Sequence, residues 1–360
     1  MNNRKLVLEN KEVYEGIGFG SCEEVVAELV CNTAVVGYQE IVSDPTNYSK
    51  IICMTYPLIG NYGLTDEDYE SKHLGIKGLV VREYNDIPSN FRYTRTLGDV
   101  MEESNISGIA GVDTRSIMKT VQKNGSLKAL ICDINKPIDE CLDILNNYNE
   151  EENLVKYVSS KKMWYSRTPN PIYNIAVIDL GTKTRFIKEL NNIGCNVVVF
   201  PYNAQPEEIM KYKPDGLFIS NGPGNPLYLK ETLETITHLK GMVPMFGIGL
   251  GALLLGITYG MKTYKLKAGR NGSNYPVKNV NTSKVEITSQ NIQYGFEEYS
   301  LVDVVEVSHV SVTTNEVLGI VSNVDNTMGV LFEPVEIIDE DSENLFNEFF
   351  QVIKKCGGKC

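Results

Sequence analysis

Histidine is scarce in this 360-residue chain, with three copies, His73, His238 and His309. None lies at ligand spacing from a cysteine, and the eight cysteines (22, 31, 53, 132, 141, 195, 356 and 360) form no C-x-x-C pair. That excludes the common zinc arrangements. Cys356 and Cys360 on the Gly-Gly-Lys tail are two thiols without further ligands, so no metal is expected. Basic residues are also in deficit: 34 Lys+Arg against 46 Asp+Glu give a formal charge of −12. Such a surface has no electrostatic reason to hold a nucleic-acid backbone or an anionic membrane. No apolar run approaches the ~20 residues of a membrane span. The N-terminal Met1–Glu9 stretch has no export-type apolar core of ~7–15 residues, so a cytoplasmic location with reduced thiols is expected.

What remains is an ordinary globular composition, 42% apolar and 22% charged, long enough for two domains at ~100–200 residues each. Residues 1–150 carry short β-type runs broken by Gly, Asn, Asp and Pro, such as Ile51–Tyr56 and Gly78–Glu83. Helical periods fall at Thr96–Glu103 and at Asp113–Lys123, the latter capped by Asp113 or Thr114. A polar stretch follows, with two prolines and the single tryptophan, Trp164. It reads as a linker over 151–171. A second domain is expected over 172–355, with 356–360 as a tail.

From Asn174 the pattern alternates strand and helix. Ile175–Gly181 is an unbroken apolar run of the kind that forms a buried parallel strand. A helix over Lys183–Ile193, a strand at Asn196–Phe200 and a strand at Gly216–Ser220 follow. Then come the loop Asn221–Pro226, a strand at Val243–Ile248 and a helix over Ala252–Tyr259. Such alternation predicts a doubly wound, mostly parallel α/β sheet behind an N-terminal α+β domain. Ligand sites in such sheets lie at the carboxyl ends of the strands, which places Asn221–Pro226 and Gly249 at one crevice.

Gly247-Ile248-Gly249-Leu250-Gly251-Ala252 matches the G-x-G-x-x-A dinucleotide pattern. That fingerprint belongs on the first strand of its sheet, with an acidic residue ~20 positions on. Here the strand is about the fourth and the downstream segment reads Lys265-Leu266-Lys267-Ala268-Gly269. The preferred reading is a tight strand-to-helix turn. Enzymes of this class place a nucleophile at such an elbow; here the elbow position is Gly249, which has no side chain.

Over residues 5–355 the sequence resembles the small, glutamine-amidotransferase subunit of carbamoyl-phosphate synthetase. The N-terminal half carries Asn32-Thr33, Gly37-Tyr38-Gln39-Glu40-Ile41, Asp44-Pro45, Met54–Gly63, Val80-Val81-Arg82-Glu83 and Gly111–Arg115 in the family's order. The C-terminal half matches the wider triad (class I) amidotransferases at Asp179–Arg185, Ser220–Pro226, Lys262–Lys267 and Thr288–Asn291. The resemblance implies a heterodimer with a large subunit that binds ATP and Mg and makes the carbamoyl phosphate. It implies no cofactor on this chain. It leaves open whether the product serves pyrimidine or arginine synthesis.

The departures fall where the family does its chemistry. Its G-I-C-L-G-H-Q segment is Gly247–Leu253 here, so the cysteine position is Gly249 and the glutamine position Leu253. Its H-P-E becomes Glu333-Pro334-Val335, replacing base and orienter. Thiolate catalysis needs all three roles, so no catalytic residue is expected to remain. In the former glutamine pocket the family's small hydroxyl residue is Ala34, and its N-H-G-(F/Y) segment is Asn291-Ile292-Gln293-Tyr294. Gly222, Gly224 and Leu250 persist, and the only expected role for His309 is structural.

Two functions follow as expectations. The first is a small subunit with a dead glutaminase, supporting ammonia-dependent synthesis by its large partner. The second is a diverged binding protein that holds a different small molecule near Gly249, Ala252 and Glu333, a cationic one drawn to Glu333.

Overall fold

The computed structural model describes residues 3–72, 74–297, 300, 302–334 and 345–357. His73, Val335, the acidic run 339–344 and Cys360 lie outside them. The chain divides into two compact units, residues 1–151 with 267–272, and residues 152–266 with 273–360.

The first unit holds strands β1 (Asn3–Leu8), β2 (Val13–Gly20), β3 (Val25–Asn32), β4 (Lys50–Met54), β5 (Leu58–Ile59), β6 (Gly78–Val80), β7 (Glu83–Tyr84), β8 (Ser107–Ala110) and β9 (Leu127–Asp133). Helices α1 (Tyr38–Ser43), α2 (Leu97–Glu103), α3 (Thr114–Asn124) and α4 (Ile138–Asn147) accompany them. Seven strands close a barrel in the order β1-β2-β8-β6-β4-β3-β9, which leaves no edge to cover. Leu6, Leu29, Ile51 and Ile109 are fully buried within it. The expected helices form where their caps predict. Asp113 accepts a hydrogen bond from the Ser116 N–H at 3.1 Å, and Thr96 from that of Asp99 at 3.2 Å, each satisfying one of the orphan donors of a first turn.

The second unit begins with α5 (Val155–Val158) and β10 (Trp164–Ser166). It continues through β11 (Tyr173–Asp179), α6 (Thr184–Asn192), β12 (Cys195–Pro201), α7 (Pro206–Met210), β13 (Gly216–Ile219), α8 (Lys230–Leu239), β14 (Met245–Ile248) and α9 (Leu250–Thr258). The chain then forms β15 (Thr263–Asn279), β16 (Val285–Phe296), β17 (Glu306–Ser311), β18 (Val317–Ser322), β19 (Thr327–Val330) and α10 (Leu345–Lys355). The ten-stranded sheet runs β10-β12-β11-β13-β14-β19-β18-β17-β15-β16. Its centre, β12-β11-β13-β14-β19, is parallel, and antiparallel strands extend it on both sides.

Alternate residues of the central strands face opposite layers. Phe218 and Phe246 pack on Phe346 of α10, with ring centroids 5.8 and 5.5 Å apart. Leu217, Ile219 and Met245 instead meet Ile236, Leu239, Leu254 and Leu255 of α8 and α9. Helix α9 is buried from Leu250 to Gly256, which explains why its sequence is apolar on every side. The middle of β15, Lys267–Gly272, is grouped with the first unit. There Asn271 accepts from the Thr33 N–H at 3.1 Å and Lys267 from the Ser126 N–H at 2.7 Å. A division at residue 150 does not capture this return.

Candidate functional site

The carboxyl ends of β11, β13, β14 and β19 supply the crevice that the α/β topology leads one to examine. Strand β14 ends at Ile248 and α9 begins at Leu250, so Gly249 alone makes the turn, at φ 55° and ψ −113°. A positive φ of this kind strains any residue with a Cβ. The Gly249 N–H donates to the Val330 carbonyl at 2.8 Å, which ties the elbow to the neighbouring strand.

The three glycines of this turn are there for different reasons. A Cβ on Gly251 would meet the Ile219 carbonyl oxygen at 2.2 Å, and one on Gly247 the Gly251 backbone at 2.7 Å. Both are required for helix and sheet to approach. A Cβ on Gly249 would find only Asn221 within 4 Å, its Cβ at 3.5 Å, which is ordinary contact. The elbow thus has the backbone of a nucleophile position and the room for a side chain.

The loop after β13 lies against this elbow. Ser220 Oγ receives the Leu180 N–H at 2.9 Å and donates to the Asn221 carbonyl at 2.9 Å. Gly222 sits where a Cβ would be 2.2 Å from the Leu180 carbonyl, and Gly224 has φ +91°. Asn221 itself is 4% exposed, and neither its Nδ2 nor its Oδ1 has a hydrogen-bond partner. A buried carboxamide left unpaired costs ~1–3 kcal/mol. Asp179, the last residue of β11, is saturated. Its Oδ1 accepts from the N–H groups of Gly181 and Thr182 at 2.9 and 2.8 Å, and its Oδ2 from the Ser160 N–H and Oγ at 2.8 and 2.6 Å.

Glu333 follows β19, and its N–H donates to the Ser289 carbonyl of β16 at 2.9 Å. Its two carboxylate oxygens are bound by Lys183 Nζ and Arg185 Nη2, from the start of α6. The Glu333 side chain is 12% exposed and that of Lys183 6%. Burying three charges together succeeds only when each finds a partner, and here two cations hold one carboxylate. The Glu333 charge is thus met from within the chain by two cations. Sequence reasoning singled out neither Lys183 nor Arg185 as a site residue. The only signal was an acidic residue at 333 balanced by two cations 150 and 148 positions earlier.

Asn291 and Gln293 lie along β16 at two-residue spacing from Ser289, on the partly buried side of that strand, with Tyr294 packed against the core. Leu253 is buried in the same core, an apolar filling where the resemblance places a glutamine side chain. Ala34 lies in the first unit just after β3, 7% exposed. Its N–H donates to Asn32 Oδ1 at 2.8 Å. His309, on β17, is buried between Asn279 and Ser308. Its Nε2 lies 3.3 Å from Asn279 Nδ2 and its Nδ1 3.0 Å from Ser308 Oγ. Burial lowers its pKa to about 4, so it is neutral above that pH. His238 is exposed in the last turn of α8. Among the described residues no cluster of three or more His, Cys, Asp or Glu is arranged to hold a metal ion.

This elbow, its flanking glycine loop and the preceding barrel can be set beside known proteins. Residues 6–131 match the family "Carbamoyl-phosphate synthase small chain, CPSase domain", and residues 176–352 match "Glutamine amidotransferase class-I". The chain belongs to the carbamoyl-phosphate synthase small chain family. It is 39% identical over 352 residues to the carbamoyl phosphate synthase pyrimidine-specific small chain of Bacillus subtilis, covering 98% of this chain and 96% of that one. To the carbamoyl phosphate synthase small chain of Staphylococcus haemolyticus it is 40% identical, covering 99% and 97%. Among solved structures, a glutamine amidotransferase of Thermotoga maritima superposes with a TM-score of 0.36 at 16% identity, covering 44% of this chain and 74% of that one. In this small chain, then, the family's two halves are both present, and among the described residues no helix is long and apolar enough to cross a membrane.

Proposed function

We propose that this chain is a carbamoyl-phosphate synthase small subunit without glutaminase activity, and that the complex it forms takes free ammonia as its nitrogen donor. The observation that carries this reading is the elbow. Covalent hydrolysis of a carboxamide needs a nucleophile in the strained turn, and Gly249 offers only backbone there. The base position supports the same conclusion. A general base must be free to take a proton, whereas Glu333 is engaged by Lys183 and Arg185.

The partner in this reading is a large subunit that carries ATP and Mg. The first unit exposes apolar residues suited to docking, among them Phe91 at 96% and Ile87 at 80% exposure. The test is a carbamoyl-phosphate assay on the chain co-expressed with its large subunit, with glutamine or ammonium as donor. Product from ammonium alone is expected. Product from glutamine overturns the reading, and failure of the two chains to associate at micromolar concentration overturns the partnership.

A second reading, a binding protein with a small molecule in the emptied crevice, has one observation in its favour. Asn221 keeps a donor and an acceptor unpaired beside the room left at Gly249. Mass spectrometry of small molecules released from the native purified chain separates the two: a stoichiometric ligand favours this second reading.

A further inference from the structure

A second concavity lies on the α10 side of the ten-stranded sheet. It has a volume of about 130 Å³, close to the ~150 Å³ of a protein cavity that admits benzene. Its lining mixes apolar side chains, Met328 and Val330 of β19 and Val352 of α10, with the carboxamides of Asn279, Asn281, Asn323 and Asn326. His309 forms part of the wall.

The chemistry of the lining selects what fits. Among the described residues that line it there is no Lys or Arg, and one carboxylate, Glu348. An anion therefore finds no basic side chain to offset its charge. His309 adds no charge, since it is buried with both ring nitrogens against Ser308 and Asn279. The lining carboxamides each carry donors and an acceptor. Apolar side chains with a few carboxamides among them are the usual lining of a small-molecule site.

We propose that this cleft is a binding site for an uncharged, ring-sized molecule with amide-type donors and acceptors on its edge. The ring lies on Met328 and Val330, and its edge meets the Asn323 and Asn326 side chains. The site is connected to the elbow by short links. The Val330 carbonyl receives the Gly249 N–H, and the His309 ring meets Phe332 edge-on at 5.2 Å, one residue before Glu333. The inference stands independently of the nitrogen source used by the complex.

The test uses the full chain with ¹³C-labelled methionine methyls, the Met328 signal being assigned with Met328→Leu. The probe is 2-pyridone, a neutral cyclic amide, and benzoate serves as an anionic ring of similar size. Saturable movement of the Met328 signal with 2-pyridone is expected, with Kd on the order of 1 mM, within reach of about seven heavy atoms. Benzoate at the same concentration leaves the signal in place. Asn323→Leu, on an exposed turn, weakens 2-pyridone binding by about fivefold or more, the worth of one lost hydrogen bond. Val321→Phe, which fills the cleft, abolishes binding while the other methyl signals stay dispersed. No movement of Met328 with 2-pyridone, equal movement with benzoate, or wild-type binding by both Asn323→Leu and Val321→Phe overturns the proposal.

Discussion

The elbow at Gly249 and the segment at Glu333 differ in what their side chains do for the fold. At the elbow the backbone conformation, the Val330 tether and the room for a Cβ are all present, and only a side chain is missing. At Glu333 the side chain is fully engaged, with Lys183 and Arg185 bonded to its carboxylate. The first position is open backbone; the second is bound into the fold through its charge. An open position adds nothing to stability, whereas a paired, largely buried charge is part of what holds the fold together.

The comparison breaks most visibly if one substitution restores chemistry. Gly249→Cys alone and Glu333→His alone are each expected to leave ammonia release from glutamine at background. In hydrolytic triads the loss of one key member costs about as much as the loss of all, on the order of 10⁶ in kcat. Glutaminase activity above background in either variant refutes the account of the elbow or of the clamp. The Gly249→Cys protein is still expected to fold, and its thiol at a helix N-terminus to react readily with iodoacetamide.

Next in size is the clamp. Glu333→Ala leaves two cations without their carboxylate in a largely buried site, and a loss of about 3–5 kcal/mol is expected in urea unfolding. A loss below 1 kcal/mol shows that the ion pairs are incidental. His309 supplies a pH-dependent contribution. Its folded pKa of about 4 lies below the 6.5 of the unfolded chain, so the unfolded state binds the extra proton as pH falls. Stability should therefore be full above about pH 6.5 and decline towards pH 4, by about 3 kcal/mol from this residue. Replacement by Gln flattens that stretch of the stability profile; an unchanged slope contradicts the assignment.

The last comparison sharpens the difference among the glycines and includes the smallest effect. Gly251→Ala drives a Cβ into the Ile219 carbonyl and should cost about 3 kcal/mol or more. Gly249→Ala meets no such atom and should cost only the positive φ, about 1–2 kcal/mol. Thermal unfolding of the pair tests the order, and equal losses remove the distinction drawn between the two positions.

Much of the second unit was legible from periodicity. The apolar runs at 175–181 and 243–248 became β11 and β14, and the helix expected over 183–193 became α6. These elements are local, and their patterns are set by burial on both faces. Closure of the barrel and the seventeen-residue β15 were not legible, since both depend on pairings between distant segments. The same limit governed the site. Gly249 is readable because an elbow is made by five consecutive residues. The Lys183–Glu333–Arg185 cluster joins positions far apart in sequence, and Asn221 reads as an ordinary loop residue until its lack of partners is seen. Ala34 stands where the resemblance places a small hydroxyl residue, yet it falls in the first unit, whereas Gly222, Leu253 and Asn291 fall in the second.

The short return of β15 into the first unit has a consequence for how the protein is made. Thr33 and Ser126 wait for the carbonyls of Asn271 and Lys267, so the first unit is not finished until at least residue 272 has left the ribosome. At ~5–20 residues per second, its early strands spend several seconds or more without their last neighbours. The order of synthesis therefore differs from the order of assembly, and a gene fragment ending near codon 151 encodes an incomplete domain.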